Sequence, residues 1–183
     1  MSRNYKFRDQ DQPYFVSFAT VFWIDVFTRN TYRDILLDSI RYCQQHKGLE
    51  LYAWCIMSNH VHLIIGTTDK KMEDILRDLK KYTSVKILEA IKENPQESRR
   101  EWMLWMFKQA GKRNSNNQHY QFWQQNNQPI ELSSALIAEQ KLAYLHNNPV
   151  EAGLVEEAEY YLYSSAKDYA GKKGLLDVIF LFG

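Results

Sequence analysis

Two short apolar segments joined by a tight turn restrict the fold of this chain more than any other feature. Residues 49–56 and residues 60–65 have the length and the apolar content of strands. Ser58-Asn59 lies between them, and so short a connection joins two strands only as an antiparallel hairpin. The sequence therefore predicts an antiparallel sheet that contains this hairpin.

One strand and one helix are predicted before the hairpin. Residues 14–23 are aromatic and β-branched with partial alternation, which is typical of a strand. Residues 32–46 place apolar side chains at helical spacing. Lys47-Gly48 follows them with a basic last turn and a glycine stop, so we expect the helix to end there.

Two amphipathic helices and a further strand are predicted after the hairpin. The first helix is capped by a residue of the segment 67–69 and runs to about Glu93, with apolar residues at spacings of three and four. Residues 98–112 form the second helix. Residues 120–124 alternate in polarity and predict a fourth strand.

The last predicted helix completes the order β-α-β-β-α-(α)-β-α. It is capped by Ser133 or Ser134 and ends at Pro149. This order is that of the split β-α-β units of a ferredoxin-like fold, an α+β sandwich with an antiparallel sheet and extra helices. We expect one domain over residues 1–183, with a core of about 13–150 and a C-terminal extension, 151–183, packed on it.

Composition narrows the class of protein. Hydrophobic residues make up 45% of the chain and aromatic residues 14%, which excludes an intrinsically disordered chain. No run approaches the ~20 apolar residues of a membrane span, and the N-terminus has no apolar stretch of the signal-peptide type. Cys43 and Cys55 are too few for a disulfide framework. We therefore expect a reduced, cytoplasmic protein without a membrane partner.

The net charge of +1 hides an uneven distribution. Residues 70–113 contain 12 Lys and Arg against 7 Asp and Glu, a net charge of +5, and the rest of the chain carries −4. A polyanion responds to the local face of a protein rather than to its total charge. The basic segment fits either a solvated helix surface or a nucleic-acid contact, and charge alone does not decide between them.

His60-Val61-His62 places two imidazoles on one side of the third predicted strand, because side chains alternate along a strand. Two neutral imidazoles on one face can hold a divalent metal, although an isolated pair of this kind also fits an ordinary solvated sheet. Tyr144 and Asn148 share one face of the last helix. A tyrosine can attack phosphorus as a nucleophile, and an amide oxygen can add a third metal ligand.

Four segments resemble one family of enzymes. Residues 57–64, Met-Ser-Asn-His-Val-His-Leu-Ile, resemble the MPNHVHLL box of the single-tyrosine HUH transposases, the insertion-sequence-200-like superfamily. Residues 144–155 resemble the YIHLNPVRAGLV box of the REP-associated tyrosine transposases. Residues 120–124 resemble the VWQ segment of that branch, and residues 163–166 resemble its PWSS tail. The segments occur in the order found in the family.

The resemblance implies a mechanism for this chain. His60 and His62 match the histidines that bind a divalent cation, Mg²⁺ or Mn²⁺, and Asn148 falls at the place of a third, amide-bearing ligand. Tyr144 matches the nucleophile that cleaves single-stranded DNA, often beside a hairpin, leaving a 5′-phosphotyrosine and a free 3′-OH. Tyr82 lies in a segment that we interpret as packing or DNA contact, and we expect no nucleophilic role for it.

DNA binding would require cations for the phosphates and aromatic rings for unpaired bases. Tyr120 and Trp123 are candidates for stacking, with a buried position favoured for Trp123, and Trp102 and Trp105 are interpreted as core or dimer contacts. The predicted phosphate contacts are Lys70, Lys71, Arg77, Lys80, Lys81, Lys86, Arg99, Arg100, Lys108, Lys112 and Arg113.

Three functions fit these residues. The first is a metal-dependent single-stranded DNA endonuclease and strand transferase, acting on single-stranded or hairpin DNA as a monomer or a homodimer. The second is a DNA-hairpin-binding protein that has kept the fold and lost transposition. The third, a metal-binding regulator with no DNA partner, leaves the basic segment and the tyrosine box unexplained. The complete set of His60, His62, Tyr144 and Asn148 favours catalysis.

Overall fold

The computed structural model describes residues 7–114, 119–125 and 129–182. The predicted loop residues 115–118 and turn residues 126–128 lie outside the described residues. The elements are β1 (Tyr14–Ala19), α1 (Asn30–Lys47), β2 (Leu49–Ile56), β3 (His60–Thr67), α2 (Met72–Glu93), α3 (Arg100–Lys112), β4 (Ile130–Glu131), α4 (Ala135–Glu151) and α5 (Ala166–Tyr169).

In the described part of the chain, four strands form an antiparallel sheet in the order β2-β3-β1-β4. The hairpin of β2 and β3 is present as predicted, and β1 lies along β3 with Ala19 opposite His60. A first strand that lies between the third and the fourth is the arrangement of split β-α-β units. The α+β, ferredoxin-like fold is therefore confirmed.

The helices cover the two faces of this sheet. Phe18 of β1 is paired with Val61, so both side chains lie on the face opposite to His60 and His62. The ammonium group of Lys80, on α2, lies 5.5 Å from the centre of the Phe18 ring, which places α2 on that opposite face. Helix α1 packs against α2, while α4 packs on β2 and β3 from the histidine face.

The core explains why these segments form strands and helices. The strands bury successive side chains on both faces, and the β1 pattern is almost continuously buried because helices cover the sheet on both sides. Trp54, Tyr32 and Phe27 are fully enclosed. Burial of each large apolar side chain contributes about 1.5–3 kcal/mol to folding. Gly48 ends α1 with φ of 70°, a left-handed conformation that favours glycine, as predicted.

Two helix boundaries differ from the prediction. Helix α2 begins at Met72 after Lys71, and none of residues 67–69 caps it; the Thr67 hydroxyl instead donates to the Lys70 carbonyl within the preceding turn. Helix α4 is capped by Ser134, as expected, but continues through Pro149 to Glu151. A proline in the last turn costs a single backbone hydrogen bond, so Pro149 does not end the helix there.

The predicted fourth strand is wrong. Of residues 120–124, only Trp123 forms a strand-type bridge, to Thr20 directly after β1, and β4 lies instead at Ile130–Glu131. Phe122 and Trp123 are consecutive and both buried, so the segment does not alternate between core and solvent. It fills the space beneath α2 and α3, where the Trp123 indole donates to the Thr83 hydroxyl at 3.1 Å.

The segment after α4 covers the outer edge of β2. The Ile56 amide donates to the Tyr163 carbonyl at 2.9 Å, and the Ser165 amide donates to the Trp54 carbonyl at 2.9 Å. Further along the chain, the Ile179 amide donates to the Leu51 carbonyl at 2.9 Å. These bonds satisfy backbone groups that an uncovered edge strand would leave exposed.

Two findings bear on the expected class of protein. No helix among the described residues is long and apolar enough to cross a membrane. Cys43 and Cys55 are both buried free thiols, on α1 and β2. Burial raises the pKa of the Cys55 thiol to about 12, which keeps it protonated and unreactive.

Candidate active site

His60 and His62 lie side by side on β3, on the face that α4 covers. Their ring centres are 4.7 Å apart. His62 is buried, with 4% of its surface exposed, and His60 is half-buried. The Nδ1 atom of His60 lies 2.7 Å from the side-chain oxygen of Asn59, which can only accept a hydrogen bond. Nδ1 of His60 therefore carries the proton, and Nε2 presents its lone pair to the site.

Burial keeps both imidazoles neutral. Burial lowers the pKa of His62 to about 3, with smaller contributions in the same direction from His60 and Lys141. Burial also lowers the pKa of His60, while hydrogen bonding with the Asn148 side chain opposes that change. Neutral imidazole is the form that binds a metal, so the site is in its ligating state at neutral pH.

The residues fit a divalent metal. Both ring nitrogens of His62 are buried and have no hydrogen-bond partner among the described residues, an uncommon state for a buried polar group. The described residues contain no group of three or more His, Cys, Asp or Glu side chains that could hold a metal. A metal bound here would have the imidazoles of His60 and His62 and the amide of Asn148 as its donors.

Helix α4 brings the predicted tyrosine to the histidines. Leu145 is fully buried against the sheet, so residues on the neighbouring face of the helix turn toward β3. The Tyr144 ring centre lies 5.4 Å from the His62 ring centre and 6.0 Å from that of Phe15. Tyr144 remains 45% exposed, so a substrate can reach its hydroxyl. Tyr144 and Asn148 of α4 thus lie beside His62 and His60 of β3 in the structure.

Lys141 is a member of the site that the sequence analysis did not identify. Its ammonium group lies 5.3 Å from the centre of the Phe15 ring and 5.7 Å from that of Tyr144. The spacing of Lys141 and Tyr144, three residues on a helix, was the available signal, because such residues share a face. The structure therefore adds a cation beside the tyrosine.

An aromatic turn borders the site on the other side. Phe22 and Trp23 follow β1 in a 3₁₀ turn, although both were predicted to continue the strand. Their φ angles are 56° and 54°, a left-handed conformation that costs a bulky residue about 1–3 kcal/mol. The Trp23 ring centre lies 5.7 Å from the His60 ring centre. The sequence alone gave no signal for this turn, because aromatic residues such as Phe22 and Trp23 are typical of a strand.

The turn between β2 and β3 ties this aromatic segment to the histidines. The Ser58 hydroxyl and the Asn59 amide both donate to the Asp25 carboxylate, at 2.6 and 3.1 Å. The Asn59 amide also donates to the Trp23 carbonyl at 3.2 Å. Asn59 therefore orients His60 with its oxygen and holds Trp23 with its nitrogen.

The predicted phosphate contacts are divided between two sides of the molecule. Helix α2, which carries four of them, lies on the face opposite to the histidines, and Lys70 and Lys71 come directly before it. Arg113, after α3, lies instead beside the aromatic turn, with its guanidinium 6.0 Å from the centre of the Phe22 ring. The exposed cations of the set are Lys70, Lys71, Arg77, Lys81, Lys86, Lys108, Lys112 and Arg113.

Five of the predicted contacts donate to protein acceptors. Arg77, Lys86 and Arg100 donate to carboxylates on their own helices. Arg99 donates to the buried carboxylate of Glu97, to the Asp25 carbonyl at 2.9 Å and to the Thr28 hydroxyl at 3.1 Å. Lys80 donates to the Gln124 carbonyl at 3.0 Å, and burial lowers its pKa to about 8. Arg99 and Lys80 thus hold loops in place.

The remaining aromatic candidates are distributed between core and surface. Trp123 is buried, as favoured from the sequence, and Tyr120 lies beneath the Lys92 ammonium at 4.9 Å. Trp102 and Trp105 are 49% and 57% exposed, so of the two predicted alternatives the core position is wrong, and the dimer contact stays a prediction. They lie on the outer face of α3, because Met103 and Phe107 take the buried face.

A comparison with protein families decides the affiliation. The family model described as IS200-like transposase matches residues 18–120, more than half of the chain. The chain belongs to the IS200-like transposase family. The match includes the strand of His60 and His62 and ends before α4, so Tyr144 and Asn148 lie outside the matched residues.

One solved structure agrees with the fold of this IS200-like chain. A REP-associated tyrosine transposase bound to a REP hairpin is similar over 100% of this chain and 96% of its own, with a TM-score of 0.65 and 17% identity. A candidate transposase from Deinococcus radiodurans R1 has a TM-score of 0.44 and 20% identity, over 77% of this chain and 92% of its own. No curated protein matches the chain significantly.

Proposed function

We propose that this IS200-like protein is a metal-dependent endonuclease and strand transferase for single-stranded DNA, with Tyr144 as its nucleophile. The observation that carries the proposal is the meeting of Tyr144 with His62, whose ring centres are 5.4 Å apart although the residues lie on different elements. His62 has unpartnered buried nitrogens, and the tyrosine beside it is accessible to solvent. A packing role alone would explain neither of these properties.

The residues of the site act on a phosphodiester in a single displacement. The Tyr144 oxygen attacks phosphorus as its proton leaves, a new oxygen–phosphorus bond forms, and the bond to the 3′ oxygen of the neighbouring nucleotide breaks. That 3′ oxygen takes up a proton, so the products are a 5′-phosphotyrosine and a free 3′-OH. Attack of a 3′-OH on the phosphotyrosine reverses these bonds and joins a strand.

Three side chains hold the metal in this proposal, and Lys141 adds positive charge beside the tyrosine. His60, His62 and Asn148 would bind Mg²⁺ or Mn²⁺, which when bound polarises the scissile phosphate and stabilises the charge of the leaving oxygen. The Lys141 ammonium lies on the same side as the Tyr144 ring and attracts the phosphate toward it. Neutral imidazoles and a fixed cation require no rearrangement before reaction.

Hairpin-bearing DNA is the proposed substrate, in the cytoplasm. The relative that has a REP hairpin bound supports this choice of ligand, and the exposed cations of this chain can neutralise phosphates. Lys70, Lys71 and Lys81 lie on the side of α2, so contacts there require DNA that reaches around the sheet edge. Arg113 lies instead beside the Phe22 ring of the aromatic turn.

A covalent-trapping experiment tests the proposal. The protein is incubated with a labelled single-stranded oligonucleotide that contains a hairpin, in the presence of Mn²⁺, and the products are separated on a denaturing gel. We expect a protein–DNA band that is absent in Tyr144→Phe, absent with a chelator and retained in Tyr82→Phe. Tyr82 is a matched control, since it is an exposed tyrosine on α2, across the sheet.

Two results would contradict the proposal. A band that persists in Tyr144→Phe would show that another residue is the nucleophile. Tight hairpin binding by the wild-type protein without any covalent band, over a varied set of oligonucleotides, would favour a DNA-hairpin-binding protein of the same fold.

A further inference from the structure

Phe22 and Trp23 present two aromatic side chains to solvent next to the histidine pair. They are 45% and 57% exposed, although the rest of the turn around them is packed: Val21, Ile24 and Val26 are buried. Exposing two neighbouring aromatic side chains to water is unfavourable, and the backbone of both residues also adopts a left-handed conformation. Packing of the fold explains the buried residues of the turn but not these two.

The turn is held rigidly despite its exposure. The Thr20 hydroxyl donates to the Ile24 carbonyl at 2.8 Å, closing the turn on itself. The Thr20 amide donates to the Asn59 carbonyl at 2.9 Å, and the Asn59 side chain donates to the Trp23 carbonyl. The aromatic pair is thus fixed relative to His60 rather than free to collapse onto the surface.

The surroundings of the pair are cationic. The guanidinium of Arg113 lies 6.0 Å from the centre of the Phe22 ring. Lys112 and Arg113 are both exposed at the end of α3, and α3 packs against this turn. A surface in which aromatic rings and cations alternate fits a nucleic-acid strand, because the rings stack on bases while the cations meet phosphates.

We propose that Phe22 and Trp23 form a stacking platform for unpaired bases of the DNA strand whose phosphate is held at His60 and His62. This proposal rests on the proposed function and names a binding subsite for its substrate. The Trp23 ring centre lies 5.7 Å from that of His60, so a base stacked on Trp23 lies within about one nucleotide of the scissile phosphate. Arg113 contacts the backbone of the same strand.

The platform selects for single strands rather than for a base sequence. Every base has a π-face, whereas the bases of a duplex are already stacked and cannot reach the rings. We therefore expect the platform to distinguish a hairpin with a single-stranded tail from a blunt hairpin, with little dependence on the bases in the tail. Selection of a sequence would have to come from other parts of the protein.

Binding is measured in the Tyr144→Phe background, so that cleavage does not interfere. The probes are a hairpin with a short single-stranded tail and the same hairpin without it, each titrated into the protein with Mn²⁺. Trp23→Ala and Phe22→Gly should each weaken binding of the tailed hairpin by about tenfold to a hundredfold and leave the blunt hairpin unchanged. Tyr42→Ala is the matched control, since Tyr42 is 53% exposed on α1, and it should bind both probes as before.

A tail with abasic sites isolates the stacking contribution. Removing the bases keeps the phosphates, so the parent protein should bind the abasic tail about as weakly as Trp23→Ala binds the normal tail. Trp23→Ala should bind the abasic tail only slightly more weakly than it binds the normal tail, because the substitution and the missing bases remove the same contact. Full additivity of the two losses would overturn the platform.

Folding of the variants does not obscure the result. Phe22→Gly places glycine at a left-handed position, so its melting temperature should equal or exceed that of the parent while its tail binding falls. Trp23→Ala that binds the tailed hairpin like the parent, in a protein whose Tyr144 still forms the covalent band, refutes the platform alone. A wild-type protein that neither binds nor cleaves tailed DNA refutes the proposed function and the platform with it.

Discussion

At the scale of single residues, His62 carries an energetic cost that only a ligand offsets. Both of its ring nitrogens are buried without a hydrogen-bond partner among the described residues, and each such atom costs about 1–3 kcal/mol. Its neighbours are aromatic, with the Phe15 ring stacked 5.4 Å away and the Tyr144 ring edge at the same distance. An apolar ring at position 62 would therefore lower the free energy of the folded protein, because it leaves no buried nitrogen without a partner.

His62→Phe should therefore stabilise the metal-free protein while removing its response to metal. We expect the free energy of unfolding to rise by about 1 kcal/mol in the presence of a chelator. Mn²⁺ should raise the melting temperature of the wild-type protein and leave that of His62→Phe unchanged, because binding to the native state stabilises it. Thermal unfolding with and without Mn²⁺ measures both effects.

His46→Phe is the control for this substitution. His46 lies exposed at the end of α1, stacked on Tyr42, and should leave the Mn²⁺ response intact. A His62→Phe protein that Mn²⁺ still stabilises would show that the metal binds elsewhere.

Lys141→Met should slow formation of the covalent product. The ammonium group beside Tyr144 interacts with a phosphate whose charge grows during attack, so its loss removes stabilisation of the transition state. We expect a single-turnover rate about 10-fold to 100-fold lower, with partial recovery in Lys141→Arg. Lys172→Met, which removes an exposed lysine paired with Glu159, makes the same change in charge and should react normally.

Residues of the site differ in how far the sequence reveals them. The alternation of a strand was enough to pair His60 with His62, and the period of a helix was enough to pair Tyr144 with Asn148. Trp23 required tertiary structure, because its left-handed turn contradicts the strand preference of its own side chain. Lys141 lies three residues before Tyr144, a spacing visible in the sequence, but only the position of α4 over β3 shows that Lys141 belongs to the site.

At the scale of elements, α4 is fastened to the sheet by the segment that follows it. The Ser165 hydroxyl accepts from the Trp54 amide at 2.9 Å and lies 2.8 Å from Nε2 of His146, which belongs to α4. The Tyr161 hydroxyl donates to the Ile56 carbonyl at 2.8 Å nearby. One serine thus joins β2 to the helix that carries Tyr144.

Ser165→Ala should lower both stability and the rate of cleavage. The substitution leaves the buried Trp54 amide and His146 without their shared partner, which costs about 1–3 kcal/mol in free energy of unfolding. Loosening of α4 should also displace Tyr144, so the yield of covalent product falls. Urea unfolding and the trapping gel measure the two effects.

Ser164→Ala provides the comparison for that experiment. Its hydroxyl accepts from the Ala166 amide within its own segment and is hydrogen-bonded to the Cys55 thiol of β2. The substitution should reduce stability without a matching loss of product per folded molecule. Equal losses of product in the two variants would mean that Ser165 contributes stability only.

Elements whose apolar residues recur with a regular period were predictable from the sequence. Elements whose conformation depends on contacts with residues far away in the chain were not. The hairpin and α1 follow from local patterns, down to the glycine that ends the helix. Residues 120–124 look like a strand locally, yet Phe122 and Trp123 both enter the core, where Phe107 and Phe18 receive them. No local pattern shows that two consecutive side chains will be buried, because that depends on what lies above and below them.

At the scale of the whole molecule, buried neutral histidines make the fold sensitive to acid. Burial lowers the pKa of His146 to about 4, and burial with neighbouring charges lowers that of His62 to about 3. The unfolded chain takes up a proton near pH 6.5, whereas the folded protein does not until the pH is much lower. Protons therefore favour the unfolded state, and stability falls as the pH drops from about 6.5 to 4.

The free energy of unfolding of the metal-free protein should decrease across this range. The slope is about 1.4 kcal/mol per pH unit for each histidine that stays neutral in the fold. Urea titrations at pH 7, 6 and 5 measure it. His146→Gln, which can still bond to Ser165, should flatten the slope by one such contribution, and an unchanged slope would exclude His146 as a source of the acid sensitivity.

The hydrogen bonds through which Ser165 joins β2 to α4 affect the order in which the site forms during synthesis of the chain. A nascent chain emerges from its N-terminus, so the hairpin with His60 and His62 can fold early from contacts that are close in the chain. Tyr144 emerges later, and its helix has no fastening until residues 161–165 have followed. On the proposed function, an unfinished chain on the ribosome cannot cut DNA, and the capacity to nick a strand arises only after the residues that fasten α4 have been added.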